Sequence, residues 1–131
     1  MIAEGPNAIV HDGTIFLIYS GSLVGIDYTT GLVTAPAGQG ADLTDASVWT
    51  KLDYPLQKSG MYNGRWQLGT GHGMWSHDED GNLIYVFHNA EYEHGRYGGR
   101  DARCAACTGP RRACPSWICK RRRNSTPTML V

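Results

Sequence analysis

The sequence predicts an all-β chain, and three features carry that prediction. Apolar, β-rich runs of three to seven residues recur along it, the clearest being Thr14–Ser20 and Leu83–His88. Gly and Asp turns separate them, and Gly makes up 17 of 131 residues, which suits tight turns better than long helices. No window shows a helical apolar period. Only two Phe, but four Trp and seven Tyr, fit a β protein with polar-tipped aromatics.

Taken in order, Ala8–Val10 reads as a short strand, Asp12-Gly13 as a turn and Thr14–Ser20 as a second strand. Asp-Gly between two β-rich runs is a strong hairpin signal because Gly accepts positive φ. Ahead of the hairpin, Pro6 fixes its own φ and biases Gly5 away from helix. Glu4 is therefore expected at a strand end, on a stiff corner. Taken bare, such a Glu is an ordinary surface residue before a turn; held rigidly beside a sheet it is also a candidate acid. Gly21–Tyr28 and Leu32–Ala35 read as two more short strands with a Gly-rich connection, and Pro36–Gly40 as a loop. Asp42–Asp45 is a turn before a short strand or helical turn at Ala46–Lys51, and Pro55–Gly64 is irregular. Gly69–Ser76 enters a strand, Asp78–Asn82 turns, and Leu83–His88 is a buried strand.

The two Asp-Gly hairpins look alike, and each has an ionisable residue just ahead of its first strand: Glu4 in one, His72 in the other. Antiparallel units that deliver a polar residue from the same place suggest propeller blades around a channel. A single ordinary domain suits 131 residues. No apolar run approaches a membrane span and no basic-then-apolar leader is seen, which would make the protein cytoplasmic if its amino terminus is genuine.

Several motifs together resemble glycoside hydrolase family 43, closest to its α-L-arabinofuranosidase branch. They are Glu4-Gly5-Pro6 before a hairpin ending Tyr19-Ser20, then Asp42-Leu43 with Trp49-Thr50-Lys51, Gly69-Thr70-Gly71-His72, and Val86-Phe87-His88. The resemblance covers residues 1 to about 103. It implies an incomplete five-bladed β-propeller, about two blades plus part of a third, from an inverting glycosidase acting on plant cell-wall polysaccharide or oligosaccharide. By position, Glu4 resembles the general acid. His72 resembles the channel His of a Gly-Pro-Gly-His motif, with Thr70 standing where the family has Pro. Arg100, within Gly98–Arg103, resembles a strand Arg that reaches the sugar. Trp66, between polar residues, is the candidate sugar platform, while Trp49 and Trp75 are expected between blades. No cofactor is required, and the resemblance leaves room for a structural calcium or sodium ion near His72. The family's catalytic base and its tuning Asp lie upstream of the Glu-Gly-Pro motif, and no Asp here carries either motif. Asp12 and Asp27 read as turn and loop residues. The chain alone is therefore expected not to hydrolyse glycosides.

The composition changes abruptly near Cys104. Residues 1–101 hold all twelve acids and five Lys or Arg, net −7, whereas residues 102–131 hold seven Lys or Arg and no acid, net +7. All four Cys (104, 107, 114 and 119) fall in the second part. Their spacing hints at zinc and Lys120–Arg123 at nucleic acid, but the spacings are irregular for a zinc ribbon. Reading the same bases one position earlier, with permitted codons, explains more. Cys104–Gly109 becomes Val-Arg-Arg-Val-His-Trp, an alternating strand, and Lys120–Ser125 becomes Gln-Ala-Glu-Glu-Glu-Leu. The reading is a frameshift near Cys104. It divides the chain into a partial propeller, 1–103, and an unstructured tail, 104–131, with no nucleic-acid or membrane partner expected. The alternative function is a non-catalytic β module that binds carbohydrate through Trp and Tyr. Asp78–Asn82 breaks the EF-hand pattern and reads as a hairpin turn.

Overall fold

The computed structural model describes residues 2–62, 64–93 and 96–106. Two four-stranded antiparallel sheets account for nearly all of it. The first runs in the order β1 (Ile2–His11), β2 (Thr14–Ser22), β3 (Thr29–Pro36) and β4 (Thr50–Lys51). The second runs β5 (Gly60–Tyr62), β6 (Arg65–His77), β7 (Leu83–Glu93) and β8 (Arg96–Ala106). The helical content among the described residues is one 3-10 turn, Ala46–Val48, capped by the Asp45 carboxylate on the Ser47 amide.

The first hairpin forms as its sequence demands. His11 pairs with Thr14, so Asp12 and Gly13 are the whole loop, with φ of 46° and 72°. Two successive positive φ values are the hairpin turn whose twist matches the flanking strands. The second hairpin closes over Asp78–Asn82. There the Asp78 Oδ1 accepts from the amides of Asp80 (3.1 Å) and Asn82 (2.7 Å). This carboxylate is spent on the turn, in keeping with the sequence reading.

Side chains alternating inward make one core between the sheets. Ile18 and Leu32 from the first sheet meet Trp75, Tyr85 and Phe87 from the second, with Leu52 and Leu56 of the β4–β5 connection packed at the side. The Tyr85 and Phe87 rings stack at 5.2 Å, as neighbours on one face of a strand can. Polar pairs stitch the layers together. The Trp75 amide donates to Asn7 Oδ1 (2.8 Å), its indole to the Phe16 carbonyl (3.2 Å), and Thr30 shares a 2.7 Å bond with the Tyr85 hydroxyl. Each bond satisfies a group that burial would otherwise leave costly.

The structure departs from the sequence reading in four places. Leu23–Asp27 is a turn-rich loop, not a strand, and β3 begins at Thr29, ahead of the expected Leu32. The apolar residues Leu23, Val24 and Ile26 stand exposed there with no paired strand beside them. The irregular stretch contains β5, three residues long and held by pairing with Arg65–Gln67. Trp49 is half-buried and lies outside the core cluster; its indole instead donates to the Leu43 carbonyl (3.0 Å), closing the Asp42–Thr50 turn, whereas Trp75 is in the core as expected. Last, β8 extends through Cys104 to Ala106, and Cys104 is exposed with a free thiol. The other three cysteines and the Lys120–Arg123 run lie outside the described residues.

Candidate active site

Both sequence-predicted ionisable residues lie inside strands, at irregularities in the pairing. The β1–β2 register shifts between Glu4 and Asn7, where Gly5 has φ of 58°. Pro6 has no N–H to give the ladder, and a bulge is where a strand tolerates it. The β6–β7 register shifts twice, between Leu68 and Gly71 and between Gly71 and Met74, and His72 itself sits at φ 47°. The corner foreseen from Gly5-Pro6 is therefore a bulge, and the Gly-rich run at 69–73 is a second one. Bulges re-aim side chains, and these two aim at each other. A Cβ on Gly5 would stand 3.1 Å from the His72 ring, so the imidazole lies over the Gly5 backbone.

The side chain joining them is Tyr28, at the end of the Leu23–Asp27 loop. Its hydroxyl donates to Glu4 Oε1 at 2.7 Å and lies 3.2 Å from His72 Nδ1. His72 Nδ1 and Glu4 Oε1 are 3.9 Å apart, within ion-pair range but too far for a hydrogen bond. Tyr28 is buried, with its ring stacked on His88 at 5.8 Å and 21°. Burial pushes its phenol pKa up. The Ser20 hydroxyl opposes that rise, while the Glu4 carboxylate adds to it. His88 is held below the usual imidazole range by burial first, then by the positive charge of Arg100 and of His72. Arg100, opposite Ala90 on β8, thus bears electrostatically on both Tyr28 and His88.

Two serines set the backbone. The buried Ser20 hydroxyl accepts from the His72 amide at 2.6 Å. Ser59 donates to the Ile26 carbonyl (2.5 Å) and accepts from the Gly69 amide (2.8 Å), tying the loop before Tyr28 to the bulge before His72.

Glu4, His72 and Arg100 are therefore gathered around Tyr28, and Trp66 is not. It lies six positions before His72 on β6, on the far side of the Leu68–Gly71 register shift. It stands 63% exposed opposite Met61, itself exposed, on the β5–β6 hairpin. Asp12 and Asp27 are exposed turn and loop residues, as their sequence context suggests. Sequence reasoning missed Tyr28, Ser20 and Ser59. Ser20 had a signal, since it follows Ile18 at strand period on the inward face; Tyr28 and Ser59 had none at short range. A calcium ion takes six to eight oxygen ligands. Among the described residues no group of three or more His, Cys, Asp or Glu could hold a metal ion.

The family model for glycosyl hydrolases family 43 matches residues 1–108. The chain belongs to this family. An extracellular exo-α-(1→5)-L-arabinofuranosidase of Streptomyces avermitilis is 39% identical over 93 residues, which is 70% of this chain and 18% of that protein. Alpha-L-arabinofuranosidase 43 of Humicola insolens is 37% identical over 92 residues, with the same coverage of 70% and 18%. Among solved structures, the α-L-arabinofuranosidase of Lactobacillus brevis superposes with a TM-score of 0.67 at 28% identity, covering 79% of this chain and 33% of that one. The family-43 chain thus spans about a fifth of the length of these two curated relatives. No helix among the described residues is long and apolar enough to cross a membrane.

Proposed function

We propose that this chain carries the acid half of an inverting α-L-arabinofuranosidase site, with its two sheets as two blades of a five-bladed propeller. Glu4 is the general acid. An inverting glycosidase needs one carboxyl group to protonate the leaving oxygen and a second, across the sugar, to activate water. The observation that carries the reading is the bulge-borne Glu4, held by Tyr28 against His72 with its Oε2 left for substrate. His72 and Arg100 contact the sugar, and Trp66 forms an outlying platform for the chain of a cell-wall polysaccharide. The reaction asks for no cofactor. The arabinofuranosidase names of the relatives support the substrate class, and the word extracellular in one of them supports export of the whole enzyme.

The base and the tuning Asp belong, by resemblance, to regions outside the matched segment, so the chain by itself is inactive. The propeller segment ends in β8, and the basic, cysteine-rich remainder is a frameshifted tail without a function of its own.

The test is a chimera. Residues 1–103 replace the corresponding segment of the Streptomyces avermitilis relative, which supplies the missing carboxylates. The expected result is release of arabinose from an aryl α-L-arabinofuranoside, lowered by about a hundredfold or more in Glu4→Gln. A chimera that folds and stays active with Gln at this position overturns the assignment. The exposed Trp66 favours a second reading, a carbohydrate-binding module. It predicts oligosaccharide binding by the chain that survives Glu4→Gln and is lost in Trp66→Ala.

A further inference from the structure

The geometry points to Tyr28 as a positioning residue that decides which oxygen of Glu4 carries the catalytic proton. Its phenol donates to Oε1 and accepts from His72 Nδ1–H, so the proton of the acid resides on Oε2. This rests on the reading of Glu4 as general acid.

A tyrosine hydroxyl has one proton to donate. With that proton on Glu4 Oε1 at 2.7 Å, a hydrogen bond to His72 at 3.2 Å requires an Nδ1–H donating to the phenol oxygen, and this is the tautomer the proposal assigns. At 3.9 Å from Oε1, His72 is within ion-pair range of Glu4 but beyond hydrogen-bond reach, so the hydrogen-bonded route between them runs through Tyr28. The reverse chain is equally specific. Were the proton on Oε1, Glu4 would donate to the phenol, the phenol would donate to a bare Nδ1, and Oε2 would face substrate with nothing to give. The two chains differ in one observable, the proton on Nδ1.

The ring has little freedom to leave these partners or the Ser20 hydroxyl. It is 2% exposed, stacked on His88, and in contact with Gly71, where a Cβ would meet two ring carbons at 2.6 Å. Ser20 fixes the backbone that presents His72. The raised pKa of the phenol keeps its proton in place across the range in which a carboxylic acid works.

The arrangement also favours the transition state over the ground state. As the glycosidic bond breaks, its electron pair stays on the leaving oxygen, which takes the proton from Glu4 Oε2. Water adds to the anomeric carbon and loses its proton to a second carboxylate of the whole enzyme. Negative charge then grows on Glu4, and the Tyr28 hydrogen bond changes from neutral to charge-assisted, roughly doubling in strength. Only interactions that strengthen on the way to the transition state raise the rate.

The test uses the full chain and needs no turnover. Nitrogen-15 NMR of the histidine rings, with His72 assigned by loss of its signals in His72→Gln, reports whether Nδ1 is protonated near neutral pH. The expected result is a protonated Nδ1 in the wild type, whether or not Nε2 also carries a proton. In Tyr28→Phe, checked by its amide spectrum to be folded, the His72 nitrogen shifts move. A bare Nδ1 in the wild type, or His72 shifts unchanged in folded Tyr28→Phe, overturns the proposal. The wild-type measurement decides even if the variant fails to fold. A bare Nδ1 leaves the role of Glu4 to the chimera assay, and an active Glu4→Gln chimera sinks that role whatever the tautomer.

Discussion

Substituting Gly71 by Ala puts the Tyr28 clamp under a defined steric load. The added Cβ would lie 2.6 Å from Cδ1 and Cε1 of Tyr28 and 3.4 Å from Ser20 Oγ. Carbon atoms rest at about 3.5–4.0 Å, so the ring must retreat by roughly one ångström. It cannot do so and keep both partners, because His88 stacks on it and Glu4 Oε1 holds its hydroxyl at 2.7 Å. Overpacking of this kind costs about 1–3 kcal/mol. Losing a hydrogen bond to a carboxylate costs about 1.5–3 kcal/mol, with the lower end appropriate to Glu4, whose side chain is 40% exposed. The expected loss is therefore about 2–4 kcal/mol, read as a fall of about 1–2 M in the urea midpoint at an ordinary slope. Gly13→Ala is the control: its Cβ meets nothing within 4 Å, and it pays only for φ of 72°, about 1 kcal/mol. If Gly71→Ala unfolds within about 0.5 kcal/mol of the wild type, the account of Tyr28 as a pinned ring is wrong.

Three further outcomes are expected. Because His88 has a lowered folded pKa, the unfolded chain takes up its proton first as pH falls below about 6.5. The contribution of His88 to stability is present above that pH and lost below it. Urea midpoints should drop between about pH 7.5 and pH 5.5, and the drop should shrink in His88→Phe, which keeps a ring against Tyr28; an equal drop in both would refute this. Trp66→Ala should leave the urea midpoint unchanged, since the side chain is largely exposed. It should weaken arabino-oligosaccharide binding, measured by calorimetry, about tenfold. Ile18→Ala should cost about 2–5 kcal/mol in the same denaturation assay, since Ile18 is fully buried among Leu32, Trp75, Tyr85 and Phe87.

How much of this was legible in the sequence depended on the range of the cause. Asp12-Gly13 and Leu83–His88 could be read because turn chemistry and β propensity act within a few residues. Glu4 and His72 were found through motifs, but their setting was not. A bulge is a mismatch between two strands, and neither Gly5-Pro6 nor Gly69–Gly73 states the register of its partner. Tyr28 was invisible for the same reason. Its partners are 24 and 44 residues away, and its loop looked like a weak strand because Leu23, Val24 and Ile26 are apolar. Strand β5 is too short to carry a period, and Trp49 was read by its size when its indole N–H decides its place. Asn89 and Ala90 are successive residues of β7 and both are buried, which no alternation rule anticipates.

Glu4 comes from β1 and His72 from β6, so the clamp spans two separate sheets. A swing of about five degrees between layers about 10 Å apart moves the tips by nearly an ångström. That is enough to part a hydrogen bond while every strand stays paired. On the reading of Glu4 as the acid proposed above, proton delivery would gauge how squarely the two sheets are docked. Warming should disarm the site well before the sheets melt. Substitutions at the inter-sheet bonds of Asn7 or Thr30 should register as lost activity in a chimera that still looks folded.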